Sequence, residues 1–180
     1  MEEYINEPIL DITGEFENIS HFKTKHLYCQ NNSNLRLSYL PDTIETLCCE
    51  SYCFIPYEEG NDRVLSKCTG FTDAFNTKVE SWKYLFNICP NIEIFEMRQK
   101  DVPKEVLMLK NLKEIYIDDA PGGKHQIVPD GCMLILSKCG GPPLIYICKD
   151  GKIVLKEHDE KINVFFMDKL HTECSLNADG

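Results

Sequence analysis

No apolar run in the chain approaches the roughly 18 residues that a membrane-crossing helix needs. The first residues, MEEYINEPIL, are acidic and lack the basic and then apolar stretches of a secretory leader, so the expected compartment is the reducing cytoplasm. Basic residues are few: 19 Lys and Arg stand against 29 Asp and Glu, for a formal charge of −10. Phosphates reward Lys and Arg, so the balance argues against a nucleic acid or an anionic membrane as the main partner. The paired C-x-x-C and H-x-x-x-H spacings of structural zinc sites are missing as well.

Cysteine, by contrast, is abundant, with 10 in 180 residues. Without a secretory leader a disulfide framework is not expected. Many of these cysteines sit inside apolar strand patterns, where a thiol serves as a small core side chain. The length suits one domain or one repeat array with a sizeable core.

The most informative stretch is 91–120, NIEIFEMRQKDVPKEVLMLKNLKEIYIDDA, which carries one apolar spacing twice. Ile92, Phe95 and Met97 stand to one another as Leu112, Ile115 and Ile117 do, and each corresponding pair is 20 residues apart. L-x-x-L-x-L suits a short strand whose alternate residues enter a core while the others face out. One such unit cannot cover its own apolar edges and must stack on copies of itself. The same step joins Leu27 to Leu47 and Cys29 to Cys49, with Asn32 three residues after Cys29. Leu134 and Leu136, with Cys139 beyond them, and then Ile153 and Leu155 follow at steps of 19.

This pattern resembles the leucine-rich repeats, whose repeats run to about 20–29 residues with Asn or Cys after the strand. The resemblance implies an α/β solenoid. A curved parallel sheet would line its concave face, short helices or 3₁₀ turns its convex face, and caps its two ends. Residues 1–20 would form an N-terminal cap strand or hairpin, 21–140 the repeats, 141–170 a last repeat or a capping hairpin, and 171–180 a loose tail. Asp150-Gly151 between LIYIC and KIVLK is a hairpin signal that competes with a final repeat. The third repeat has two registers. RVLSKCTGFTDAF fits the cysteine-containing subtype through Leu65, Cys68, Phe71, Thr72 and Asp73, and a strand with Cys68 and Gly70 inward also fits. Trp82, Leu85 and Ile88 are three apart and predict a helical face.

Three clusters invite a chemical reading, and each has a plainer one. Cys29, Cys48, Cys49 and Cys53 with His21 and His26 lie one repeat apart, yet the strand register places Cys29 and Cys49 in the core. Cys139 beside Gly140-Gly141, with His125, would be a nucleophile pair, but the position after the strand wants a buried, inert thiol. Gly122-Gly123-Lys124 lacks the full phosphate-loop pattern and reads as a turn. No catalytic residue, metal or cofactor is therefore expected, and the chain is not expected to be an enzyme.

The outward-facing strand residues Tyr28, Gln30, Glu50, Glu96, Arg98, Tyr116 and Asp118, with the acidic neighbour Asp119, are what packing does not explain. Two tyrosines among carboxylates on a parallel sheet suit a protein-binding surface, since Tyr offers large contact area at low entropic cost. The expected partner is another protein with a basic surface, and the chain reads as an intracellular scaffold. Two alternatives stay open. One is a structural component of a larger assembly, such as a cage or viral particle, contacting neighbours through caps and edges. The other, implied by the resemblance to cysteine-containing repeats, is a substrate receptor of a ubiquitin ligase. The start of the chain, however, has no F-box helix of the L-P-x-E-I type. If the cysteines are core side chains, the protein keeps its full melting transition in excess reductant. A large loss of that transition, or bridged cysteines by non-reducing mass measurement, would contradict this.

Overall fold

A computed structural model describes residues 9–32, 34–74, 77–98, 101–118, 127–137, 143–150 and 152–157; for Leu10, Asp118 and 152–157 it describes the backbone only. It is a mixed α/β structure with mostly parallel strands and few helices. The chain divides into two compact units. One is built on residues up to Glu93 together with Met108–Asn111, the other on Ile94–Leu107 and the residues from Leu112 onward.

In the first unit four strands run parallel: β1 (Ile9–Thr13), β2 (His26–Gln30), β3 (Thr46–Glu50) and β5 (Gly70–Asp73). Ile9 faces His26, His26 faces Thr46 and Thr46 faces Gly70, so successive strands are 17, 20 and 24 residues apart. The short strands β4 (Phe54–Ile55) and β6 (Lys78–Val79) form a second parallel ladder, again with a step of 24. Leu35 N–H donates to the Phe54 carbonyl at 2.8 Å, which carries that ladder back one further turn. In this part of the chain, successive segments are thus hydrogen-bonded to one another at two places, along the long strands and around Phe54–Ile55.

Alternation along the strands sorts the side chains. Leu27, Cys29, Leu47, Cys49 and Phe71 are almost fully buried, as are Ile55 of β4 and Leu35, Leu37, Leu40, Ile44 and Leu65 from the connecting segments. Each such aliphatic or aromatic side chain contributes roughly 1.5–3 kcal/mol on burial. Asn32, at the position where the repeat pattern places Asn, is buried, and its Nδ2 donates to the carbonyl of Gly14 just after β1. Among the described residues the N-terminal strand joins the parallel ladder beside β2.

Neither sequence register for the third repeat matches the structure. Phe71 and Asp73 are the inward pair, opposite Leu47 and Cys49, and Gly70 faces outward. The step is still 20 at Ser38 N–H to Glu58, and has become 24 at Thr69 N–H to the Glu45 carbonyl. Four extra residues therefore lie in EGNDRVLSKC, which turns at Gly60 with φ +76. Gly70 also fits closely: a Cβ there would come within 3.0 Å of Thr46 Cγ2. After β6 comes α1 (Trp82–Ile88), the helical face expected from Trp82, Leu85 and Ile88. Ser81 caps it, accepting from Tyr84 N–H, and Pro90 follows its end.

In the second unit β7 (Ile94–Arg98), β8 (Glu114–Asp118) and β9 (Met133–Ser137) are parallel, at steps of 20 and 19. Phe95, Ile115 and Leu134 form one inward column, and Met97, Ile117 and Leu136 the next; all six are buried. A 3₁₀ turn at Lys104–Met108 follows Pro103 and buries Val106. After β9 the direction reverses: β10 (Leu144–Lys149) pairs antiparallel with β9, and β11 (Lys152–Glu157) antiparallel with β10. Ile153 and Leu155 thus belong to a hairpin rather than to a further parallel repeat, with Asp150 in the left-handed region at φ 52. Lys113, just before β8, is exposed. Phe95→Asp or Ile115→Asp should cost more than about 3 kcal/mol, because each buries an unpaired carboxylate, whereas Lys113→Asp should cost only about 0.5 kcal/mol. Urea unfolding of the three variants checks this; equal midpoints would show the register to be wrong.

Candidate functional site

Opposite the core, each unit carries a face of outward strand residues. In the first unit these form rows across β2, β3 and β5. His26 and Thr46 are bonded, Nδ1 to Oγ1 at 2.7 Å, and Gly70 ends that row without a side chain. Tyr28, Cys48 and Thr72 make the middle row, where Tyr28 is 39% exposed. Gln30 and Glu50 make the third, with Gln30 Nε2 donating to Glu50 at 3.2 Å. Two of the rows are tied by side-chain hydrogen bonds, so this face is ordered without a partner.

In the second unit the rows are Ile94, Glu114 and Met133; Glu96, Tyr116 and Ile135; and Arg98, Asp118 and Ser137. The Tyr116 hydroxyl donates to Glu114 at 2.9 Å, and that hydrogen bond, with smaller help from burial, pushes the phenol above its ordinary pKa. The ring is therefore held along its own strand. Beyond it lies an apolar surface that strand spacing alone did not reveal. Met133, Ile145 and Ile147 are half-buried, and Ile135 is buried, on the side of β9 and β10 that Tyr116 faces. The expected residues Tyr28, Gln30 and Glu50 thus stand together in the first unit, and Glu96, Arg98, Tyr116 and the backbone of Asp118 in the second. Asp119, the Asp118 side chain, and the Cys139, His125 and Gly122–Lys124 clusters lie outside the described residues.

The thiols divide by face. Cys29, Cys49 and Cys53 cluster in the core, while Cys48, between them in sequence, is half-exposed on the outer face. Burial pushes the Cys29 thiol up, and hydrogen bonding with Cys53 together with burial does the same for Cys49. Cys53 goes the other way, to about 7: the Cys49 hydrogen bond outweighs burial, helped by the N–H groups of Asn32 and Asn31. Its own S–H reaches the carbonyls of Cys29 and Glu50, each at 3.1 Å. Among the described residues no group of three or more His, Cys, Asp or Glu side chains is placed to hold a metal ion. Among them, too, no helix is long and apolar enough to cross a membrane.

One constellation was not expected from the sequence. Glu58 is the hub of a hydrogen-bonded cluster in the first unit. It accepts from Ser38 N–H at 3.1 Å, from the Ser38 hydroxyl, from the Tyr84 hydroxyl at 2.7 Å and from Asn61 Nδ2 at 3.4 Å. Asn61 Nδ2 also donates to the Tyr84 oxygen at 2.7 Å, and its Oδ1 accepts from Arg63 N–H at 3.2 Å. Arg63 in turn pairs with Asp42. The sequence signal was weak: EEGND reads as a solvated turn and Tyr84 as one more helix residue.

No protein-family model matches the chain, and no curated protein or solved structure matches it either.

Burial alone would raise the Glu58 carboxyl, but the hydrogen bonds from Ser38 and Tyr84 win and hold it below the usual carboxylate range. A carboxylate lowered on folding stabilises the fold above its unfolded pKa, and that contribution is lost as pH falls through the folded value. Tyr84→Phe removes one donor and should cost about 1 kcal/mol at neutral pH, since Glu58 is only partly buried. The gap between wild type and variant should close as the medium is acidified below about pH 4. A pH-independent gap in urea midpoints would show that the Tyr84 hydroxyl does not act through the Glu58 charge.

Proposed function

We propose that the chain is a non-enzymatic interaction module of the leucine-rich-repeat kind, which docks another protein on its outward strand face. The repeat reading is supported by the parallel steps of 20 and 19, with inward columns such as Phe95, Ile115 and Leu134 in phase from strand to strand. The observation that carries the docking reading is the Tyr116 row. An aromatic ring fixed by Glu114 lies between Glu96 on one strand and Ile135 on the next, beside half-buried Met133, Ile145 and Ile147. A preordered aromatic at the border of an apolar patch and carboxylates has the composition of a binding hot spot. Its carboxylates favour a basic partner surface, whose association rate would fall as salt rises.

A second reading, assembly through edges, has its own support in β1. Among the described residues no strand pairs with its far side, which suits strand addition there. Affinity capture with wild type and with Tyr116→Ala separates the two. Face docking predicts that Tyr116→Ala weakens a captured partner by more than about 1 kcal/mol with its melting temperature close to wild type. The triple variant Tyr28→Ala, Arg98→Ala, Tyr116→Ala should abolish capture. Partners recovered equally by wild type and the triple variant would contradict face docking and favour the edge.

A further inference from the structure

Two hollows meet at Tyr57, both within the first unit. One, of about 510 Å³, is walled by Tyr57, Asn61, Asp62, Lys83, Tyr84 and Asn87. The other, of about 490 Å³, shares Tyr57 and Asn61 with the first and is lined also by Arg36, Ser38, Glu58 and Glu59. Each is within the size range of small-ligand sites. Tyr57 is common to both and 54% exposed, and its position is set by two contacts. Its N–H donates to the Glu80 carboxylate at 2.7 Å, and its ring meets Tyr84 edge-on at 5.2 Å.

The floor and the rim of these hollows differ in kind. The floor groups Glu58, Asn61 and Tyr84 spend their hydrogen-bonding capacity on one another and on Ser38. They supply shape and stiffness. On the rim Asp62, Lys83 and Asn87 are exposed, and their side chains make no hydrogen bond among the described residues. Lys83 and Asn87 are one turn apart on α1, hence on one side of it. Together the three offer an acceptor, a donor and an amide that is both.

Charge and polarity narrow the ligand. Asp62 and Lys83 cancel in the first hollow, and Arg36 faces two carboxylates in the second, so neither attracts an anion such as phosphate. The walls are too polar for a lipid chain. What remains is a neutral molecule whose polar groups both donate and accept, and which presents an apolar face to an exposed ring. Sugar hydroxyls and the C–H face of a pyranose meet both demands. We propose that the two hollows that share Tyr57 bind a neutral saccharide of at least two units, one of which packs its C–H face on the Tyr57 ring.

The test is an amide-resonance titration of the ¹⁵N-labelled chain with maltose, lactose, mannobiose and N,N′-diacetylchitobiose. Inorganic phosphate and a capped neutral hexapeptide serve as the comparison probes. The proposal expects at least one disaccharide to give saturable shifts centred on Tyr57, Asn61, Lys83 and Asn87. Its Kd should rise by about tenfold in Tyr57→Ala, the loss of one ring contact. Because Tyr57 also packs on Tyr84, the exposed double variant Lys83→Ala, Asn87→Ala provides a second reading on an intact fold, and it too should weaken binding several-fold. No saturable shift with any of the disaccharides would overturn the proposal. So would shifts at these amides from the peptide or phosphate alone, or disaccharide binding that neither variant weakens.

Discussion

Hydrogen bonding between parallel strands in a fixed phase is the constraint on which the rest of this structure depends. A strand alternates its side chains between two faces, so a slip of one residue would send every inward group out and every outward group in. Here the connecting segments hold very different numbers of residues, yet the ladders absorb steps of 17, 19, 20 and 24 without losing phase. Leu27, Leu47 and Phe71 consequently form one column in the first unit, and Phe95, Ile115 and Leu134 one in the second. In the first unit the Phe54–Ile55 and Lys78–Val79 ladder runs beside the pairing of the long strands and makes the phase hard to change there.

From that phase follow two surfaces of different chemistry. The inward surface is almost wholly apolar and uses thiols as small fillers at Cys29, Cys49 and Cys53. The outward surface holds groups that would be costly inside, including Gln30, Glu50, Glu96 and Arg98, several of them tied along or across strands. A docking face needs such order in advance, because side chains already fixed lose little entropy when a partner arrives. The Glu58 cluster shows the same economy elsewhere: its polar groups satisfy one another, leaving the exposed Tyr57 ring on a stiff base.

Much of this was readable from residues because the apolar spacing recurs at a constant step. The pairs Leu27–Leu47, Phe95–Ile115 and Met97–Ile117 are register partners as the 20-residue period requires. Legibility failed where the step changed. Between Glu58 and Thr69 four added residues shift the strand, so local likeness around Leu65 and Cys68 pointed to the wrong inward pair, and a buried Asp73 is not what an apolar pattern seeks. The direction of β10 was equally hidden, since Leu144–Lys149 alternates as well for an antiparallel strand as for a parallel one; only Asp150-Gly151 hinted at the hairpin. Of the site, the outward rows were legible by alternation. The Met133, Ile145 and Ile147 patch and the Glu58 cluster were not, because both depend on which strands and loops become neighbours in space.

The adjacent residues Cys48 and Cys49 allow the phase to be measured directly. Cys48 is half-exposed on the outward face and Cys49 is fully buried, with Cys29 beside it in the core. Alkylation of the folded protein by a small thiol reagent, with each site followed by peptide mass analysis, reads the two positions separately. The account predicts that Cys48 is modified readily while Cys49 and Cys29 react only on unfolding. Modification of Cys49 as fast as Cys48 in the folded protein would contradict it.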